Sequence, residues 1–142
     1  MYKYRQFKDK YVLSIDNHQP VGAALAAFCK EKNILAGAVY GLGATNNATL
    51  RFLDPDTLKY VDKTFAEQME ICNLTGNISE KDGQVYLHLH VTLGRSDYTC
   101  VGGHLLEATI NGACELVVEP LEGPGLPRYA DPESGLNLYD FR

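Results

Sequence analysis

Three of the four histidines in this chain fall within one stretch, Tyr86–His104, which reads Y-L-H-L-H-V-T-L-G-R-S-D-Y-T-C-V-G-G-H. His88 and His90 are two apart, the period of a strand, so both imidazoles point to the same face. His104 follows a Gly94–Asp97 turn signal, where an antiparallel return strand comes back alongside. Three imidazoles converging on one spot are the commonest way for a protein to hold zinc with one position left to water. Water on such an ion is activated for hydrolysis or lyase chemistry. Register decides whether the third imidazole joins. A hairpin centred at Ser96 sets His104 opposite His88, and a slip by one residue turns it to the other face. Gly102-Gly103 offers a bulge that corrects either case.

His-x-His is a weak signal by itself. Histidines that share a half-polar sheet face with Tyr86 and Thr92 also serve as hydrogen-bonding or interface residues. A cupin uses the same pair but needs a glutamate a few residues later, and V-T-L-G-R follows His90. Glu67 and Glu70, on a neighbouring strand, are the candidate protein-derived fourth ligands. With Arg95, they are also the candidate acid–base or anion-binding groups of a metal-dependent enzyme. His18 precedes the helix pattern and reads as a turn or cap residue.

The elements that must position these side chains are mostly strands. Val85–Leu93 alternates cleanly, with Val85, Leu87, Leu89, Val91 and Leu93 on one face and Tyr86, His88, His90 and Thr92 on the other. Lys81-Asp82-Gly83-Gln84 before it is a hairpin turn. Tyr98–Leu106, Ala108–Ile110 and Cys114–Leu121 read as strands after it. Upstream, Tyr2–Phe7, Tyr11–Ile15, Ile34–Leu42, Ala48–Leu53 and Phe65–Leu74 read as strands, and Tyr60–Val61 pairs back after Asp54-Pro55-Asp56. Gly41–Asn47 reads as a tight polar turn. It lacks the third glycine and the following helix of a dinucleotide loop, so that reading is rejected. Val21, Ala24, Leu25, Phe28 and Cys29 form the apolar stripe of one amphipathic helix, with Asp16 or Asn17 as cap and Pro20 in its first turn. Glu122–Ser134 is rich in proline and glycine and reads as loop. Leu136–Phe141 alternates and reads as a last strand that pairs somewhere specific. The sum is an α+β fold, a mainly antiparallel sheet with one helix packed on it. A length of 142 residues predicts one domain over residues 1–142 and a sizeable core.

Net charge is −5 and the pI about 5.3. This argues against nucleic-acid binding through overall charge, since phosphate contacts need a basic surface. Lys3, Arg5, Lys8 and Lys10 form the densest basic cluster and read as a solvated strand edge. The N-terminus lacks the apolar region of a signal peptide, and no run approaches a membrane span. The four cysteines lack C-x-x-C spacing and read as buried, reduced thiols. A cytoplasmic protein with no membrane partner is expected.

The stretch H-L-H-V-T-L-G-R-S-D-Y-T-C-V-G-G-H-L-L-E, His88–Glu107, resembles the signature of the PPC (plants and prokaryotes conserved) domain. A-V-Y-G-L-G-A-T-N-N-A-T-L-R-F, Ala38–Phe52, resembles the strand–turn–strand segment of the same family, and length and strand order agree. The resemblance implies a PPC-domain-like α+β fold that assembles as a homotrimer. It implies Zn2+ or a similar divalent metal on His88, His90 and His104. It also implies a DNA-binding or DNA-associated regulatory protein whose partners are itself and DNA or a DNA-binding protein. Plant members carry AT-hook arms that enter the minor groove. This chain has no AT-hook, which with its acidic balance opposes direct DNA contact. Two alternatives stand beside this reading: a metal-dependent hydrolase or lyase on the same histidines, and a scaffold in which the metal only staples strands or subunits.

Overall fold

The computed structural model describes residues 1–142. Its strands are β1 (Tyr2–Phe7), β2 (Lys10–Ile15), β3 (Gly37–Asp54), β4 (Lys59–Phe65), β5 (Met69–Lys81), β6 (Gln84–Gly94), β7 (Cys100–Pro120), β8 (Arg128–Ala130) and β9 (Asn137–Tyr139). One helix, α1 (Val21–Glu31), lies between β2 and β3. Every pairing between named strands is antiparallel, so the expected mainly antiparallel α+β architecture is what is observed.

Seven strands form one sheet in the order β1-β2-β7-β6-β5-β3-β4. An additional β7–β3 pairing closes a ring through β7, β6, β5 and β3. Two strands are long enough to serve both sides of that ring. The first half of β3 lies between β5 and the end of β7, and its second half lies between β4 and the start of β7. The sheet therefore curls round its apolar face, where Leu13, Val39, Ile71, Leu74, Ile78, Leu89, Val91, Leu93, Ile110 and Leu116 meet the Leu25–Phe28 side of α1. All five stripe residues of α1 are buried.

Gly41–Asn47 is not the turn its composition suggests; β3 runs straight through it, with register shifts after Gly41, Gly43 and Thr45. The glycines serve close approach instead. A Cβ at Gly41 would collide with the Glu115 carbonyl oxygen, and one at Gly43 with that of Ala113. Likewise Tyr98–Leu106, Ala108–Ile110 and Cys114–Leu121 are parts of one strand, bulged rather than broken. Asn73–Ser79 belongs to β5. The Asp82-Gly83 turn is as expected, with positive φ at both residues (53° and 73°) as the primed hairpin turn requires.

The cap of α1 also departs from expectation. The N-cap position is Pro20, with no side-chain cap of its own. Asp16 pairs with the N-terminal ammonium, and Asn17 accepts from the Gly112 N–H. The exposed donors are met from across the fold, because Glu107 of β7 accepts from the Gly22 and Ala23 N–H groups at 2.7 and 3.1 Å. A carboxylate there also complements the positive end of the helix dipole. Local sequence carries no trace of a cap supplied 85 residues away.

The C-terminal section holds more order than its prolines suggest. β8 lies inside Glu122–Ser134, and β9 pairs back onto it, so the tail's partner is within the chain. The thiols divide: Cys29 and Cys114 are buried, while Cys72 and Cys100 are exposed. Cys72 sits at the β5 bulge between Ile71 and Asn73, which turns it off the core face. No helix is long and apolar enough to cross a membrane.

Candidate metal centre

β6 and β7 bring the three histidines together. The register sets His90 directly opposite His104, two residues from the pairing implied by a turn centred at Ser96. A shift of two preserves the face, so all three imidazoles stand on the side away from Leu89, Val91 and Leu93. The β6–β7 ladder is continuous from Cys100 to His104, and Gly102-Gly103 forms no bulge in it. Gly102 permits close approach, since a Cβ there would sit 2.7 Å from the Val91 carbonyl oxygen.

One ligand nitrogen from each of His88, His90 and His104 lies within 4.8 Å of the other two. The Nε2 atoms of His88 and His90 are 3.2 Å apart. Two nitrogens bound at about 2.0–2.1 Å on a tetrahedral ion are separated by about 3.3 Å, so this pair already spans one edge of such a site. The electrostatics agree with the distances. Partial burial is the largest cause lowering the pKa of both His88 and His104; the neighbouring imidazoles and Arg128 add to it at His88, and His90 and Arg51 add to it at His104. Both are therefore neutral at pH 7, with lone pairs free to donate. Three imidazole nitrogens converging in this way fit a divalent metal.

Around the cluster is a pocket of about 580 Å3, lined on one side by Arg51 and Tyr60 of the β3–β4 ribbon and on the other by Tyr86 and the β8–β9 hairpin. Arg51 sits across from His104 and is paired bidentately with Asp62 through Nε and Nη2, both at 2.8 Å. Arg128 is held between the rings of Tyr139 and Tyr86, 4.2 and 5.0 Å from their centroids. Its Nε donates to Ser79 Oγ and its Nη1 to the Asn137 carbonyl, both at 2.7 Å. Its Nη2 is buried and has no acceptor.

The expected glutamates are elsewhere. Glu67 pairs with Arg95, Oε1 lying 2.6 Å from Nη2 and 2.8 Å from Nε. Glu70 stands opposite Gly94, whereas His90 stands opposite Thr75. Five residues along a strand is about 16 Å, so Glu70 is out of reach, and neither glutamate joins the cluster of potential ligands. His18 occupies a turn with φ of 65° and touches Asn17. The residue that sequence reasoning missed is Arg128. It lies in a stretch whose prolines read as loop, and only the β8–β9 pairing carries it to the pocket.

A sequence model of the Plants and Prokaryotes Conserved (PCC) domain matches residues 2–122. Among solved structures, a candidate DNA-binding protein of Bacteroides thetaiotaomicron is 56% identical, with a TM-score of 0.97 over 99% of this chain and 98% of that one. A metal-containing protein of Archaeoglobus fulgidus is 33% identical, with a TM-score of 0.87 over 98% of this chain and 97% of that one. A plant- and prokaryote-conserved (PPC) protein of Pyrococcus horikoshii is 25% identical, with a TM-score of 0.87 over 99% of this chain and 94% of that one. No curated protein matches.

Proposed function

The chain belongs to the Plants and Prokaryotes Conserved domain family, and on that premise we propose that it is a homotrimeric metal-binding module in which His88, His90 and His104 hold Zn2+ or a similar divalent ion. The observation that carries this reading is the convergence of three imidazole nitrogens within 4.8 Å. The archaeal relative, a metal-containing protein that matches this chain over nearly its whole length, supports it. When bound, the ion supplies a Lewis-acidic centre with a fourth position for water or a ligand atom. His88 and His104 contribute neutral nitrogens, and the β6–β7 register holds the three rings in place. Arg51, tied to Asp62, keeps a guanidinium beside His104 without bringing a carboxylate into the cluster.

The trimer finds support on the β3–β4 ribbon. Phe52 and Val61, paired across it, are 65% and 57% exposed. A ribbon this apolar beside the pocket is suited to burial against another copy.

A second reading, a DNA-associated regulatory role, rests on the bacterial relative that is 56% identical. With a net charge of −5, association through a DNA-binding partner fits better than direct phosphate contact. An affinity for duplex DNA that falls steeply with salt would restore direct contact.

The test of the metal reading is cobalt substitution. Co2+ added to chelator-stripped protein should give the intense visible bands of a tetrahedral site, displaced by one equivalent of Zn2+. A spectrum that stays octahedral and weak would remove the three-imidazole site.

A further inference from the structure

We propose that the pocket beside the imidazoles takes a small carboxylic acid with an apolar stem, anchored through its carboxylate on Arg128. The inference rests on the pocket around the histidine cluster being a ligand site, but not on the metal being bound.

Of the five arginines, Arg51, Arg95 and Arg142 are each paired with a carboxylate, Asp62, Glu67 and Asp140, and Arg5 is exposed on β1. Arg128 has no such partner. Its guanidinium is nevertheless held by two aromatic rings and by hydrogen bonds from Nε and Nη1. Fixing a cation, leaving its charge uncompensated and leaving Nη2 without an acceptor is costly in a folded protein. An anion entering the pocket that Arg128 lines compensates that charge.

The lining gives the rest of the ligand's character. In a chain of net charge −5, this pocket is lined by Arg51, which is paired with Asp62, by Arg128, which has no carboxylate partner, and by no Asp or Glu. Leu53, Leu136 and Leu138 supply an apolar wall. The volume, about 580 Å3, suits a small molecule. A nucleic-acid phosphate would bring charge and a solvated backbone but nothing for the leucine wall, so a carboxylate with a hydrocarbon stem is the better match.

The probe is 4-methylpentanoate, titrated into the intact assembly by calorimetry and by 15N NMR, which follows the Arg128 Nε–H signal directly. Wild-type protein should bind it, both zinc-loaded and stripped, with the Arg128 signal shifting in step. Arg128→Gln should weaken binding about tenfold or more, and Arg128→Lys should weaken it less. Leu138→Glu leaves Arg128 and its hydrogen bonds in place but sets a competing carboxylate in the pocket. It should also abolish binding, so the test survives if Arg128→Gln misfolds. Wild-type protein that binds the acid but no zinc would sink the metal reading alone. Zinc binding retained with no acid binding, or equal binding by Leu138→Glu, would overturn this proposal. So would binding of inorganic phosphate or a DNA duplex that no carboxylate shares.

Discussion

The two ends of β6 treat arginine in opposite ways. At the hairpin end, Arg95 is held by Glu67 and sits 5.8 Å from the Phe65 ring centroid, while Asp97 accepts from the Thr99 backbone and hydroxyl. Nearby, Gln68 and Asn111 exchange hydrogen bonds at 2.7 and 2.9 Å. Polar groups there answer one another, which is how a protein satisfies its own turns. From its middle toward the other end stand three clustered imidazoles and an arginine with a buried, unanswered nitrogen. The contrast separates a structural network from a site: the groups left unpartnered are those that await something from outside.

Perturbing the two ends should therefore have unequal consequences. The largest effect belongs to the histidine face. Replacing His104 by Ala should lower zinc affinity by more than the roughly 10–100-fold typical of losing an outer-sphere partner, as read by chelator competition, while the circular-dichroism spectrum stays unchanged. Gly41→Ala comes next, as a test of the β3–β7 contact on which the site's scaffold depends. Forcing a methyl against the Glu115 carbonyl should cost about 1–3 kcal/mol in denaturant unfolding. Glu107→Ala, which uncovers the first turn of α1, should cost about 1–2 kcal/mol and raise hydrogen exchange at Gly22 and Ala23. Glu67→Gln should be the mildest. Its pair with Arg95 is solvent-screened and contributes little, and zinc content should not change. If Glu67→Gln cost zinc, the two ends would not be independent.

Acid should also tell them apart. His88 and His104 have folded-state pKa values below the ordinary 6.5, so below that pH the unfolded chain binds more protons than the native one. Stripped protein should lose stability as pH falls through 6.5 toward the lowered values. His88→Ala/His104→Ala should flatten that part of the profile.

Much of the site was legible before any coordinates, because strand periodicity is a strict rule. Two-residue spacing put His88 and His90 on one face, and a register error of two left His104 on that face too. The amphipathic helix and the Asp82-Gly83 turn were legible for the same reason: their signals are local. What escaped was non-local. Gly41 and Gly43 look like turn residues because the backbone oxygens they accommodate lie on β7. The cap of α1 comes from Glu107, and Asn17 was a plausible substitute only because it is close in sequence. The role of Arg128 depends on a three-residue strand pairing across a proline-rich segment, where composition points to loop. Glu67 and Glu70 are candidates only as acidic residues on a neighbouring strand; nothing in sequence fixes the register, and the β5–β6 pairing sets Glu70 about 16 Å away.

The central claim is that three imidazoles make one metal site. The most direct measurement is the zinc content of purified wild-type protein beside His88→Ala/His90→Ala and His18→Ala, with the mass of each assembly recorded. The account predicts about one zinc per chain in wild type and in His18→Ala, and none in the double variant, with all three assemblies of equal mass. Wild-type protein that holds no zinc after the ion is added back at neutral pH, or a double variant that holds as much, would contradict it.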